Sequence, residues 1–229
     1  RIIGVLQSPQ NKNPENSYFR DMLLRDIRAI QYAKTLPEWD GKNIKVSGGS
    51  MGAFQSIFAA MLDQDITYCD VFIPWLSNVN GEAEGRMKSI CLPEYVPALL
   101  YYDISNAIKR VKCPVKISAR LGDYECPPSG IAVLFHNAKG RTILDFSQNG
   151  TTATVRRGGE IPSIRGINKT DSPINGLTTI SKNVSIFDET RGAAVCLRCP
   201  PIGLFLCRIP TLKHIYEKNI GNIGYVVLR

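Results

Sequence analysis

The sequence predicts an α/β fold, a mostly parallel sheet with helices on both faces, and three observations carry that expectation. Helix-compatible and strand-compatible runs alternate from about residue 17 to residue 146, the rhythm of a parallel sheet with covering helices. A β-like run, Asn43-Ile44-Lys45-Val46, passes through a Gly/Ser-rich turn into an apolar run from Ala53 to Leu62. With 229 residues, 44% of them hydrophobic, the chain can bury one sizeable core.

Taken in order, residues 8–16 form a polar loop rich in Asn and Pro. Met22, Leu23, Ile27, Ile30 and Ala33 then keep helical spacing, which predicts a helix over residues 17–36 with Arg25, Asp26, Arg28 and Lys34 turned outward. Pro37 ends it, because a proline removes a donor and clashes with the preceding turn. A turn over 38–41 leads to the strand at 43–46. The helix over 53–62 ends near Asp63-Gln64-Asp65, and residues 68–74 read as the next strand. Residues 75–100, broken by Gly81, Gly85, Pro93 and Pro97, read as a polar insertion containing Glu82, Glu84, Arg86 and Lys88. Such an insertion roofs a pocket or simply runs over the surface. A helix over 103–111, a strand over 113–119, a helix opened by Pro127-Pro128 and running to about Asn137, and a strand over 142–146 complete the pattern.

Chemistry concentrates in two places. Gly48-Gly49-Ser50-Met51-Gly52 is a Gly-x-Ser-x-Gly pentapeptide between a strand and a helix, the context of a nucleophile elbow. Gly48 and Gly52 leave room for the sharp turn, Ser50 is lifted above the sheet edge, and the backbone N–H of Met51 can donate to a developing oxyanion. A Gly/Ser-rich turn without chemistry fits the same five residues. Asp123 lies just past the carboxyl end of the strand at 113–119, the edge where ligands gather in open α/β sheets. A carboxylate there can orient a histidine and stabilise its protonated form, or it can cap the helix that follows.

Composition excludes other classes. No run approaches the ~20 apolar residues of a membrane span. The net charge of +8 is uneven: residues 1–150 carry 17 Lys+Arg against 15 Asp+Glu, residues 151–229 carry 11 against 5. The excess belongs to the tail, with no dense Lys/Arg block and no interleaved aromatics, so nucleic-acid binding is not expected. Seven cysteines, an odd number without framework spacing, argue against a disulfide scaffold. Cys196-Leu-Arg-Cys199 is a lone CxxC with no second pair, so no metal is expected. The chain opens on Arg1 and Ile2-Ile3-Gly4-Val5-Leu6 is too short for a secretory h-region, which points to a start inside a longer gene product and favours a cytoplasmic location.

Further matches carry a family resemblance. Tyr18-Phe19-Arg20, the run from Leu36-Pro37-Glu38-Trp39 to Asp40-Gly41-Lys42-Asn43, Gly48-Gly49-Ser50, and Pro93-Glu94-Tyr95 stand in collinear order. Ala107-Ile108-Lys109-Arg110, Lys112-Cys113-Pro114-Val115, Leu121-Gly122-Asp123 and Cys126-Pro127-Pro128-Ser129 continue the series. Together, over roughly residues 15–151, they resemble the acetylxylan esterase/cephalosporin-C deacetylase family of α/β-hydrolases, which remove acetyl groups from sugars and related esters. The resemblance implies a partial α/β-hydrolase catalytic domain over 1–150, Ser50 as nucleophile and Asp123 as triad acid. It puts Met51 where the family usually has Gln, and Trp75 where part of the pocket wall is built. It implies no cofactor, a small-molecule or oligosaccharide acetyl ester as partner, and a homo-oligomer.

Two parts of the machinery depart from the family pattern. The loop tyrosine that supplies a second oxyanion donor would precede Arg1. The catalytic histidine should stand in a segment like Thr-His-Gly-Tyr-Ser-Pro, and the position is Thr152. Codons CAC GGC TAC AGT CCG, losing their first base and followed by G, read ACG GCT ACA GTC CGG. That is Thr-Ala-Thr-Val-Arg, the sequence at 152–156. Residues 151–229 are therefore expected to be out of frame or disordered, a tail without family resemblance. Neither His136, on a predicted helix, nor His214, in the tail, is placed to act as base. The expected function is that of a carbohydrate acetyl esterase impaired by loss of its histidine; the alternative is a non-catalytic carbohydrate-binding relative.

Overall fold

The structure, a computed structural model, describes residues 7–147, 163–168, 194–197, 205–207 and 224–228. Ser17 starts the first helix by accepting a hydrogen bond from the Phe19 amide at 3.2 Å, a side-chain cap of the first turn. This helix, α1, spans Tyr18–Ala33. It ends three residues before the position anticipated from Pro37, because turn bonds from Thr35 to Tyr32 and from Leu36 to Ala33 already leave the α-helical ladder. The polar loop before α1 is not irregular throughout: it winds into 3₁₀ turns at Pro9–Lys12 and Pro14–Asn16.

Asp40 shapes the turn into the sheet, its Oδ1 accepting from the amides of Lys42 and Asn43 at 2.8 Å each. Strand β1 (Ile44–Gly49), helix α2 (Met51–Leu62), strand β2 (Tyr68–Phe72), helix α3 (Ile104–Ala107), strand β3 (Val115–Arg120), helix α4 (Pro128–Asn137) and strand β4 (Thr142–Ser147) follow. The four strands are mutually parallel in the order β4-β3-β2-β1, with Val46 beside Cys69, Cys69 beside Val115, and Val115 beside Thr142. One face is buried: Ile44, Val46, Cys69, Val71, Val115, Ile117, Ala119 and Leu144 form a single cluster with inward residues of α1, α2 and α4. On the other face Lys45, Asp70, Lys116 and Asp145 alternate with them and are half-buried, Lys45 and Asp70 as an ion pair at 2.8 Å. Alternate side chains of a strand point to opposite faces, so this split follows from the sequence alternation itself.

Four described segments of the tail extend the sheet. Strand β5 (Ser163–Asn168) pairs antiparallel with β4, β8 (Gly224–Leu228) pairs antiparallel with β1, and β6 (Ala194–Leu197) and β7 (Phe205–Cys207) continue outward from β8. An open strand edge offers a row of backbone donors and acceptors that any extended segment can satisfy, whatever its side chains.

One outward assignment is corrected. Asp26 is 4% exposed, inside the α1–α2 contact, where its Oδ1 accepts from Gln55 Nε2 at 3.0 Å. Spacing alone missed it because its intended solvent side is the side on which α2 packs. Burial pushes its carboxyl up to about 7, against the smaller opposing effects of the Gln55 bond and the Arg25 charge. An acid whose folded pKa lies above its unfolded value of 3.8 binds its proton more tightly when folded. Its contribution to stability is therefore full below about pH 4 and is lost as pH rises through about 7. Asp26→Asn is expected to gain on the wild type over that window, by about 1 kcal/mol or more at pH 8, read from denaturant midpoints across the pH range.

Candidate active site

Ser50 sits between β1 and α2 with φ 51° and ψ −116°, a backbone conformation that a residue with a side chain rarely adopts. Its neighbours hold it there. The Ser50 amide donates to the Phe72 carbonyl at the end of β2 at 3.0 Å, and the Ser50 carbonyl accepts from the Ala53, Phe54 and Trp75 amides at 3.1–3.2 Å. A methyl group on Gly48 would lie 2.3 Å from the Gly52 carbonyl carbon and 2.4 Å from its oxygen, so only glycine permits so close a return of the chain. Met51 is the first residue of α2, where an amide has no intrahelical acceptor.

Beneath the elbow lies an aromatic cluster that the helical spacing did not reveal. Phe54 of α2 packs on Phe58, Phe19 and Trp75 at 5.0, 5.9 and 6.1 Å between ring centroids. Trp75 is therefore a core residue, 4% exposed. Its amide secures Ser50, and its indole Nε1 donates to the Cys91 carbonyl at 3.3 Å.

Asp123 lies in the loop after β3 and is completely buried. Its Oδ1 accepts from the amides of Glu125 and Cys126 at 2.9 and 2.8 Å, so it shapes its own loop; the cap of α4 is Pro127. Cys126 joins the two predicted residues: its amide is bonded to Asp123, and its Sγ lies 3.9 Å from Ser50 Oγ. Ser50 and Asp123 thus both contact Cys126, one at its thiol and the other at its amide, at the carboxyl edge of β1 and β3. Burial, then the Asp123 charge, pushes that thiol well above its ordinary range, so it is a neutral neighbour rather than a nucleophile. Cys126 was legible only as a cysteine three residues after Asp123. His136 is exposed, in the last turn of α4. Thr152 and His214 lie outside the described residues. Among the described residues no group of His, Cys, Asp and Glu could hold a metal ion, and no helix is long and apolar enough to cross a membrane.

The 75–100 insertion walls a cavity of about 310 Å³ that reaches Cys126. It is stitched to the Asp123 loop by Ile90 N–H to the Tyr124 carbonyl at 3.1 Å and by the Ser89 hydroxyl to the Glu125 carbonyl. It is stitched to α4 by the Ser77 hydroxyl, 2.7 Å from the Gly130 carbonyl. Leu76 and Asn78, both at positive φ, enter this wall. Buried Asp103 holds the second of these: its carboxylate accepts from the amides of Asn78 and Val79 at 2.9 Å while also capping α3 through Ser105 at 2.8 Å. Asp103→Ala leaves two strained-loop amides without an acceptor and is expected to cost about 2–3 kcal/mol, measured by urea unfolding. Asn78 and Ser129 are among the residues lining the same cavity; the Asn78 amide nitrogen and the Ser129 hydroxyl are buried and have no hydrogen-bond partner among the described residues.

A parallel sheet whose strand-to-helix elbow carries a serine at positive φ defines an α/β-hydrolase fold, and solved structures bear this out. Acetyl xylan esterase from Paenibacillus sp. R4 superposes with a TM-score of 0.58 at 22% identity, over 63% of this chain and 51% of that one. Acetyl xylan esterase 1 from Thermoanaerobacterium sp. JW/SL YS485 gives 0.58 at 20% identity, over 67% and 54%. Residues 3–84 match the acetyl xylan esterase (AXE1) family model. Acetyl esterase Axe7A of Xylanibacter ruminicola is 37% identical over 124 residues, 50% of this chain. The chain spans 28% of that relative's length and about half of each solved structure.

Proposed function

We propose that this chain carries the nucleophile and acid of a serine acetyl esterase acting on acetylated sugars. The elbow carries the reading: a strained serine, packed so tightly that Gly48 admits no side chain, lies 3.9 Å from the thiol of Cys126, whose amide is bonded to the buried Asp123 and which also lines the cavity. Ser50 Oγ attacks the acetyl carbonyl, the Met51 amide donates to the oxyanion, and the alcohol leaves with a proton. Water then releases acetate from the acetyl-serine. Asp123 serves to orient a histidine and stabilise its imidazolium.

Thr152 stands where the family pattern has its histidine, so both halves of the reaction lack their base and turnover is slow. This same substitution favours a second reading, in which the cavity binds an acetylated sugar without cleaving it. Prolonged exposure to p-nitrophenyl acetate separates the two by peptide mass mapping. Acylation without efficient deacylation leaves one acetyl group on Ser50, absent from Ser50→Ala. An unmodified Ser50 under conditions that acetylate surface lysines overturns the nucleophile assignment.

A further inference from the structure

Backbone strain concentrates in one place. Among the described residues the non-glycine residues at positive φ are Ser50 at 51°, Ile73 at 43°, Leu76 at 62° and Asn78 at 55°. The last three lie in the run that leaves β2, and the first is the serine of the elbow. Bulky and β-branched side chains rarely adopt this conformation, so surrounding bonds must hold them in it. The 73–79 segment is held from several elements at once. Ile73 N–H donates to the Ser118 carbonyl of β3 at 2.6 Å, and Trp75 N–H donates to the Ser50 carbonyl at 3.2 Å. The Ser77 hydroxyl donates to the Gly130 carbonyl of α4 at 2.7 Å. The Leu76 carbonyl accepts from the Ile104 amide at 3.1 Å. The Asn78 and Val79 amides end the segment on the buried Asp103 carboxylate, one on each oxygen, at 2.9 Å. Asp103 and Ile104 thus grip the two strained residues nearest to Trp75 on its far side, and Trp75 grips Ser50.

Resting on the esterase reading, we propose that Asp103 is a positioning residue for Ser50. Its carboxylate keeps Asn78 in the left-handed region, the turn it closes fixes where the Trp75 amide stands, and that amide fixes the Ser50 carbonyl and with it the direction of the attacking Oγ. The Asp103 carboxylate binds backbone amides and does not touch the ester. Its loss therefore slows the chemical step, where a small misplacement of the reacting atom is costly, and leaves ester binding in place.

Single-turnover acetylation of Ser50 by p-nitrophenyl acetate, followed on the whole chain by peptide mass, gives two constants: the rate at saturating ester and the ester concentration at half that rate. Asp103→Ser keeps a side-chain oxygen to cap α3 but is too short to reach the Asn78 and Val79 amides. It is expected to lower the saturating rate about tenfold and to leave the half-saturating concentration within about twofold. Adding Asn78→Gly, which adopts positive φ without strain, should restore the rate to within about threefold of wild type. Rates are taken below the onset of melting of each variant, read by circular dichroism, so that loss of folded protein does not enter. Asp103→Asn, equal in size to the native side chain, takes the place of Asp103→Ser if that variant does not fold, with the same fall and the same rescue expected. An unchanged saturating rate in the folded variant, or a fall that Asn78→Gly does not recover, overturns the positioning role while leaving Ser50 as nucleophile. Absence of acetyl-Ser50 from the wild type overturns the esterase reading and this assignment with it.

Discussion

Hydrolysis of p-nitrophenyl acetate by this chain is expected to run roughly a million-fold below that of an intact serine triad, the order of the cost when a protease triad loses its histidine. The reason is in the proton bookkeeping. Ser50 must lose a proton as it attacks, and the leaving alcohol must gain one; an imidazole does both, and Thr152 does neither. Cys126 cannot substitute, because burial and the neighbouring Asp123 charge hold its thiol protonated. On the reading that the triad histidine is lost, Asp123→Asn should change the residual rate by less than about tenfold, whereas in a working triad the same change costs on the order of ten-thousandfold. Steady-state assays with Ser50→Ala as the background control measure both. Turnover that depends on Ser50 and falls within the ordinary enzyme range of about 1–1000 per second would require a base elsewhere in the chain and would refute the impairment.

Gly48→Ala should be the most damaging single substitution for folding. The added carbon meets not a movable side chain but the Gly52 carbonyl group and the Ala53 amide, at 2.3–2.9 Å. Relief requires β1 and α2 to separate. Separation would pull Phe54 and Phe58 away from Phe19, Trp75 and Tyr102, and would stretch the Ser50–Phe72 and Ser50–Trp75 bonds. Overpacking against backbone at a site this confined costs about 4 kcal/mol or more, on the order of a 10 °C fall in Tm for a domain of this size. Thermal melting followed by circular dichroism reads it directly. The control is Gly85→Ala, at a glycine with open space around it but positive φ, which should cost only about 1 kcal/mol. Equal losses at the two positions would mean that the close approach at Gly48 is not what the elbow depends on.

How much of this could be read in advance differs residue by residue. The elbow was legible because it is local: strand, tight turn and helix are encoded within about a dozen consecutive residues, and the two flanking glycines announce the constraint on the backbone. The position of Asp123 was legible because a loop after a parallel strand must emerge at the carboxyl edge. The burial of Trp75 was not legible because its position between a strand and a loop-rich insertion does not say on which side its indole will lie. Asp26 was misplaced for a related reason, since helical spacing gives the faces of α1 but not which neighbour covers them. The tail strands escaped notice because edge pairing uses backbone groups and leaves little trace in side-chain pattern.

The amino-acid order alone therefore determined the α/β rhythm, the serine elbow and the edge of the sheet where Ser50 and Asp123 would stand, since each follows from interactions within a few residues or from strand direction. Tertiary structure decided what surrounds them: Cys126, which touches Ser50 with its thiol and Asp123 with its amide, the aromatic cluster under the turn, and the Asp103 clasp on the cavity wall. Those contacts join segments dozens of residues apart, and side-chain identity does not say which distant partner a group will meet until the chain has folded.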